Sequence, residues 1–364
     1  MILYLNKHKK NSFRIAWFLG IIITLCGCKN DGIEDKLPGP VWVIFSTSNS
    51  RLVNNTVNGI SDDAEGKIWL ATDDGVSAYW KNTWTSIRDQ VSYFTPGDSQ
   101  EIWTVTSVIQ DKGKSIWFTL PGGGIERYNQ WGSTTPWIRY TEDNGLVSNI
   151  VNRVAANLNE PGDIWFATDG GISRFTPSKS DPAIGEWLTF TKKEIPELAT
   201  NMISVVVTNN IDNSIWFGTQ SGTVLRAYYD ISLRWGVRTP PDNAYPIKAI
   251  AFDRSNNFWI GTLYNAWKHD SRYGDWIEYS SSTTHGKIPF GPVNALAVDN
   301  TNKIWFGTGG GLAGLRDTTW STFTRLNSPL PSDTIKSLFV DYKGNLWIGT
   351  TGGVAVYNEG GTRL

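Results

Sequence analysis

The chain has 364 residues, 40% of them hydrophobic and 18% charged, with a formal net charge of −1. This is globular composition, and the length allows a large core. No basic run or patch is visible, so nucleic acid is not an expected partner.

Residues 1 to 27 read as a leader. Lys7, Lys9, Lys10 and Arg14 make it positive, and IAWFLGIIITL, Ile15 to Leu25, is an apolar run of 11 residues. Such a run is too short to span a bilayer and suits a signal peptide. Leu25-Cys26-Gly27-Cys28 follows and resembles the bacterial lipobox, which implies acylation of the Cys28 thiol and cleavage before it. Several acyl chains on one residue would anchor the protein firmly. Cys26 would leave with the leader, so the mature chain has no disulfide. It keeps 29 basic residues against 34 acidic, a balance of −5. Residues 28 to 40 read as a short tether, in which Asp31, Glu34 and Asp35 resemble surface-export signals of Bacteroidota lipoproteins. The expected address is the cell envelope, with a lipid anchor in the outer membrane and the chain periplasmic or surface-exposed.

From Val41 a repeat takes over. Seven hexapeptides recur: KIWLAT at Trp69, SIWFTL at Trp117, DIWFAT at Trp165, SIWFGT at Trp216, NFWIGT at Trp259, KIWFGT at Trp305 and NLWIGT at Trp347. The intervals between these Trp residues are 48, 48, 51, 43, 46 and 42. A period of 40 to 50 residues with strands and turn signals in each unit predicts a β-propeller. Each unit reads as four strands. A first strand of small and apolar residues begins near Val57, Val105, Val151, Ile203, Ile247, Val293 and Ile335. The Trp hexapeptide is the second, apolar on both faces as a sandwiched strand must be. A Gly-rich turn leads to the third, near Val76, Ile125, Ile172, Val224, Trp267, Leu312 and Val354. The fourth carries Trp84, Trp137, Trp187, Trp235, Trp276 or Trp320.

The last unit, ending GVAVYN, has no fourth strand after it, whereas WVIF with Trp42 precedes the first unit. Residues 41 to 46 are therefore expected to complete the seventh blade and close the ring, leaving no open edge. The fold class is all-β, a seven-bladed propeller with four-stranded blades, as one domain over residues 41 to 358 with a tail at 359 to 364.

Asp341 to Val354, DYKGNLWIGTTGGV, resembles the two-component regulator propeller repeat throughout, and Gly162 to Ile172 and Asp299 to Leu312 match it well. The likeness extends to all seven units. It implies a propeller like those of envelope-spanning hybrid sensor kinases of Bacteroidota, which sense glycans outside the inner membrane. Without a second propeller, a β-sandwich or a kinase in this sequence, the expectation is the propeller module alone, tethered by lipid and monomeric.

Ligands of propellers usually sit where the second-to-third turns and the fourth-to-first connections open around the channel. The fifth such turn, TLYN at 262 to 265, departs from the Gly rule, and Tyr264 and Trp267 there could stack on a sugar. The other reading is a longer, self-packed turn. Asp73, Asp74, Asp169 and Gln220 on the same face could bond hydroxyl groups, or be solvated turn residues. The second residue of every first strand is polar: Asn58, Thr106, Asn152, Ser204, Lys248, Asn294 and Lys336. Strand alternation turns these to one side, toward the channel. There they either meet a ligand or hold channel water and each other. Lys248 and Lys336 would favour an anionic or carboxylate-bearing guest.

No cofactor or metal is expected. Counting twelve from Asp63, Asp253, Asp299 and Asp341 reaches Asp74, Tyr264, Gly310 and Gly352, never the bidentate Glu of a helix-loop-helix calcium site, so these loops read as turns. Catalytic signals are sparse. Streptogramin lyases resemble this chain in blade count and Trp-rich strands, and work through a His base with a metal nearby. His269 is the one stand-in, with a surface His as its other reading. The expected function is a non-enzymatic binding propeller for a glycan or small polar ligand. The alternatives are a protein-interaction scaffold for an envelope protein and a lyase or hydrolase.

Overall fold

The computed structural model describes residues 41–87, 104–129, 137–157, 159, 162–180, 184–229, 233–242 and 245–364. The leader, Cys28 and the tether lie outside these residues. Seven four-stranded antiparallel sheets make up the fold. The inner strands are Val57–Asp62, Ser107–Gln110, Val151–Ala156, Ile203–Thr208, Ala249–Phe252, Val293–Val298 and Ile335–Val340. Each lies beside the inner strand of the next sheet, and the seventh lies beside the first, so the blades ring a central channel. Two inner strands start later than expected, at Ser107 and Ala249.

Ring closure follows the sequence expectation. Trp42–Phe45 is the outer strand of the seventh blade, paired from Trp42↔Tyr357 to Phe45↔Val354. Residues 359 to 364 pack onto the same end of the molecule. Glu359 pairs with buried Lys303 at 2.6 Å and with Arg316 at 3.4 Å, and Leu364 joins the cluster around Trp347.

Second strands are buried along their whole length, as in Ile304–Thr308 and Leu346–Thr350, because a neighbouring blade covers each face. Blades stack through aromatic layers; Trp305, for instance, meets Phe323 and Tyr357 at 6.3 and 5.6 Å. The small residue before the final Thr sits where the next blade's backbone passes. A Cβ on Gly261 would lie 2.5 Å from the carbonyl oxygen of Val293.

The Asp of the repeat has a structural task. Asp341 Oδ1 accepts the backbone N–H groups of Lys343 and Asn345, and its Oδ2 accepts the indole N–H of Trp347. Asp63, Asp111, Asp253 and Asp299 accept the indoles of Trp69, Trp117, Trp259 and Trp305 in the same way. One carboxylate thus fixes the first turn and orients the core Trp six residues on. Ser214 takes this place for Trp216, at 2.7 Å, and the buried Trp165 Nε1 has no acceptor. The final Thr closes the next turn: Thr308 Oγ1 donates to the Gly311 carbonyl and accepts the Gly310 N–H.

Candidate functional site

The channel divides into three parts joined end to end by shared lining residues. An upper chamber of about 530 Å3 opens beside the second-to-third turns, lined by Thr106, Asn152, Arg153, Ser204, Gln220 and Lys248 among others. A neck of about 210 Å3 follows, touched by all seven inner strands. A lower chamber of about 510 Å3 opens at the first-to-second turns.

The polar second residues do lie at the upper end, and the cause is a backbone irregularity rather than simple alternation. In five blades the register slips by one residue there, between Val57 and Gly59, Val151 and Arg153, Ile203 and Val205, Val293 and Ala295, and Ile335 and Ser337. A β-bulge leaves one residue out of the ladder and re-aims its side chain. That side chain then reaches the next blade. Asn58 Nδ2 donates to the carbonyl of Val105 at 3.1 Å, Asn152 Nδ2 to that of Ile203 at 2.7 Å, and Asn294 Nδ2 to that of Ile335 at 2.9 Å. Ser204 Oγ bonds the carbonyl of Ile247, and Thr106 Oγ1 approaches that of Val151 at 3.4 Å. Ser337 Oγ joins the seventh blade to the first, at the carbonyl of Val57, 3.1 Å away. Five of the seven expected site residues are therefore engaged in stitching blade to blade.

Lys248 and Lys336 break this pattern. Both line the upper chamber and the neck, and no ion pair holds either among the described residues. A third cation, Arg153, joins them and was missed by sequence reasoning. Its Nη1 donates to the carbonyl of Thr106 at 2.7 Å, and the guanidinium lines both the upper chamber and the neck. Burial lowers its pKa, with no carboxylate to offset the desolvation. A signal did exist. The third residue of the other inner strands is Gly59, Ser107, Val205, Ala249, Ala295 or Ser337, all short. Among the described residues no acidic side chain lines the upper chamber or the neck, and Asp62 is the one charged residue lining the lower chamber.

The turn residues divide. Gln220 lines the upper chamber. Asp169 Oδ1 accepts from Asn152 at 2.9 Å, and in the first blade it is Asp73 that accepts from Asn58 at 2.8 Å, while the backbone N–H of Asp74 bonds Thr72 Oγ1. Tyr264 is 52% exposed and meets Tyr245 edge to face at 4.7 Å, a two-ring platform beside Leu263 and Pro246 of the chamber wall. Trp267 requires a correction. It is 7% exposed and packs with Trp216, Ile247 and Ile260 between two blades, because its position in the third strand faces the preceding sheet. It is a core residue, unavailable to a ligand.

His269 ends the third strand of the fifth blade, at the end away from the upper chamber. It stacks on Phe258 at 4.6 Å and meets Trp276 at 4.9 Å. Desolvation lowers its pKa, with Arg238 acting in the same direction. Among the described residues no three His, Cys, Asp or Glu side chains gather as a metal site would need, and no helix is long and apolar enough to cross a membrane.

No curated protein matches the sequence. Among solved structures, the chain is similar to the extracellular domain assigned to the hybrid two component system BT3049 of B. thetaiotaomicron, at 21% identity and a TM-score of 0.67, covering 87% of this chain and 42% of that one. It is also similar to virginiamycin B lyase of Staphylococcus aureus, a catalytically inactive variant solved with quinupristin, at 15% identity and a TM-score of 0.62, over 86% of this chain and 98% of that one. A third likeness is to PorZ of Porphyromonas gingivalis, a surface component of its type-IX secretion system, at 16% identity and a TM-score of 0.61, over 83% and 46% of the two chains. The chain spans only 39% to 42% of the length of the sensor domains it matches. These likenesses establish the fold. Residues 329–352, in the seventh blade, match the family model of the two component regulator propeller. The protein is a seven-bladed β-propeller carrying the two component regulator propeller repeat.

Proposed function

We propose that the protein is a non-enzymatic binding propeller of the cell envelope, lipid-anchored through Cys28, which takes a glycan or small polar ligand at the upper end of its channel. The observation that carries this reading is the upper chamber, about 530 Å3 with polar groups from six blades on its wall. That is within the range of about 300–1,000 Å3 usual for small-molecule sites. Tyr264 and Tyr245 offer flat area at its edge, and Gln220, Thr334 and Thr351 offer hydroxyl-bonding groups. A binding role rather than a lyase-like one is supported by His269, which packs among aromatic rings at the far end of its strand.

The test is thermal unfolding of the full chain in detergent against a panel of oligosaccharides and small polar metabolites. A specific ligand should raise the melting temperature, and Gln220→Ala and Tyr264→Ala should shrink that rise without lowering the unliganded value. Turnover of any panel member would overturn the non-enzymatic part.

A scaffold role has an observation of its own. Ile150, Met202, Phe290 and Leu326, in the connections on the same face, are 46%, 44%, 79% and 97% exposed. A stoichiometric envelope protein co-purifying with the lipidated chain, lost in Phe290→Asp, would favour that reading instead.

A further inference from the structure

Among the described residues, the charged groups that line the upper chamber and the neck are all cations. Arg153, Lys248 and Lys336 come from the third, fifth and seventh blades, so they face one another around the axis. All three line both the upper chamber and the neck, and no carboxylate of the described residues lines either. Asp73 and Asp169, in the turns on that face, accept the amides of Asn58 and Asn152. Asn58, Thr106, Asn152, Ser204 and Asn294 bond the backbone of the next blade. Lys248 and Lys336 make no such bond among the described residues, and Arg153 bonds the Thr106 carbonyl of the preceding blade through Nη1 alone.

Like charges gathered in a partly enclosed space repel, and low-dielectric walls strengthen the effect. Two of the three are lysines with strongly hydrated, mobile ammonium groups, suited to more than one anionic position. The third is an arginine whose Nη1 is fixed by the Thr106 carbonyl, which pre-sets the direction of its remaining N–H groups. A planar guanidinium held in this way matches a carboxylate or sulfate oxygen pair.

We propose that the upper chamber is an anion site, and that its ligand is an acidic saccharide whose carboxylate or sulfate groups are bound by Arg153, Lys248 and Lys336. This rests on the binding-propeller reading above and gives its ligand a charge. Gln220, Thr334 and Thr351 line the same chamber and can meet sugar hydroxyls, and the apolar edge of Leu263 and Pro246 can lie against a sugar face.

Isothermal titration of the full chain would use three probes: trigalacturonate, its neutral methyl ester, and a sulfated galactose trisaccharide. The acidic probes should bind at least about tenfold more tightly than the ester, a difference of roughly 1.4 kcal/mol. Raising salt should erode the difference, because screening weakens exposed charge pairs. Lys248→Met with Lys336→Met should abolish it while leaving the melting temperature within a degree or two. The ratio of trigalacturonate to sulfated probe affinity identifies which anionic group fits. Equal binding of acid and ester overturns the anion site and leaves the binding propeller standing. Absence of binding by all three probes, with a neutral panel member bound instead, also overturns it. If neither these probes nor any panel member binds, the binding-propeller reading falls with it.

Discussion

The indole of Trp42 lies 4.5 Å from the ring of Tyr357, centroid to centroid, joining the first strand of the propeller to the last. Trp42 also meets Phe323 of the preceding blade edge to face at 5.3 Å. It therefore closes the seventh sheet and seals it against the sixth. Tyr357 is 7% exposed, and burial together with Glu359 pushes its phenol up to about 12.

Trp42→Ala should accordingly cost about 3 kcal/mol, the lower end of the range for emptying a large aromatic site, because the ring is only half-buried. Because each blade relies on its neighbours, the loss should appear as one cooperative transition at lower urea, not as a separate early phase. A loss below about 1 kcal/mol would mean that the Trp42 ring contributes little to closing the seventh blade.

A second prediction concerns Asp341. Its carboxylate accepts the Trp347 indole at 2.9 Å, the Asn345 side chain at 2.8 Å and two backbone N–H groups. Asp341→Ala leaves several buried donors without an acceptor, at about 1–3 kcal/mol for each one truly stranded. The measured loss should exceed about 2 kcal/mol and should not respond to calcium. Restoration of stability by added calcium in the wild type would instead revive the cation-loop reading of these Asp-rich turns.

The architecture was legible because it rests on repetition. Seven Trp hexapeptides, seven fourth-strand Trp residues and their phase offset imposed the blade count and the role of Trp42. The site was legible only in part. Alternation located Asn58, Thr106, Asn152, Ser204 and Asn294 at the channel end, but hydrogen-bond partners from the next blade are non-local, and so their stitching was hidden. Trp267 was misplaced for a related reason. An aromatic near an unusual turn looks exposed until the facing sheet, with Trp216 and Ile260, is known. Arg153 lies one residue beyond the polar second position, and its signal is an arginine in a column otherwise of Gly, Ser, Ala and Val.

Stitching and ligand binding make opposite predictions for Asn152. Its amide bonds the Ile203 carbonyl at 2.7 Å and Asp169 at 2.9 Å. Asn152→Ala should lower stability by about 1–2 kcal/mol, as expected for a half-buried hydrogen-bonding pair. It should leave the affinity for an acidic probe within about threefold, since the cations are untouched. The reverse outcome, unchanged stability with lost binding, would return Asn152 to the ligand.

At the other end of the channel, Asp62 supplies a pH-dependent term. Burial raises its pKa from the usual 3.8 to about 6, with Asp63 and Asp341 adding like-charge repulsion. A carboxyl whose folded pKa is raised holds its proton longer in the native state than in the unfolded chain. Between pH 3.8 and about 6 the native state thus binds more protons, and stability falls as pH rises through that window. Above about 6 the cost of the ionised form is fully present. Water in the lower chamber screens it, which reduces the contribution to about 1 kcal/mol. Asp62→Asn removes the titrating proton, so it should gain about that much over wild type at pH 8 and nearly nothing at pH 4. Urea midpoints of both proteins across this range are the measurement. A gap between them that stays constant from pH 4 to 8 would show that Asp62 titrates as an ordinary surface carboxylate.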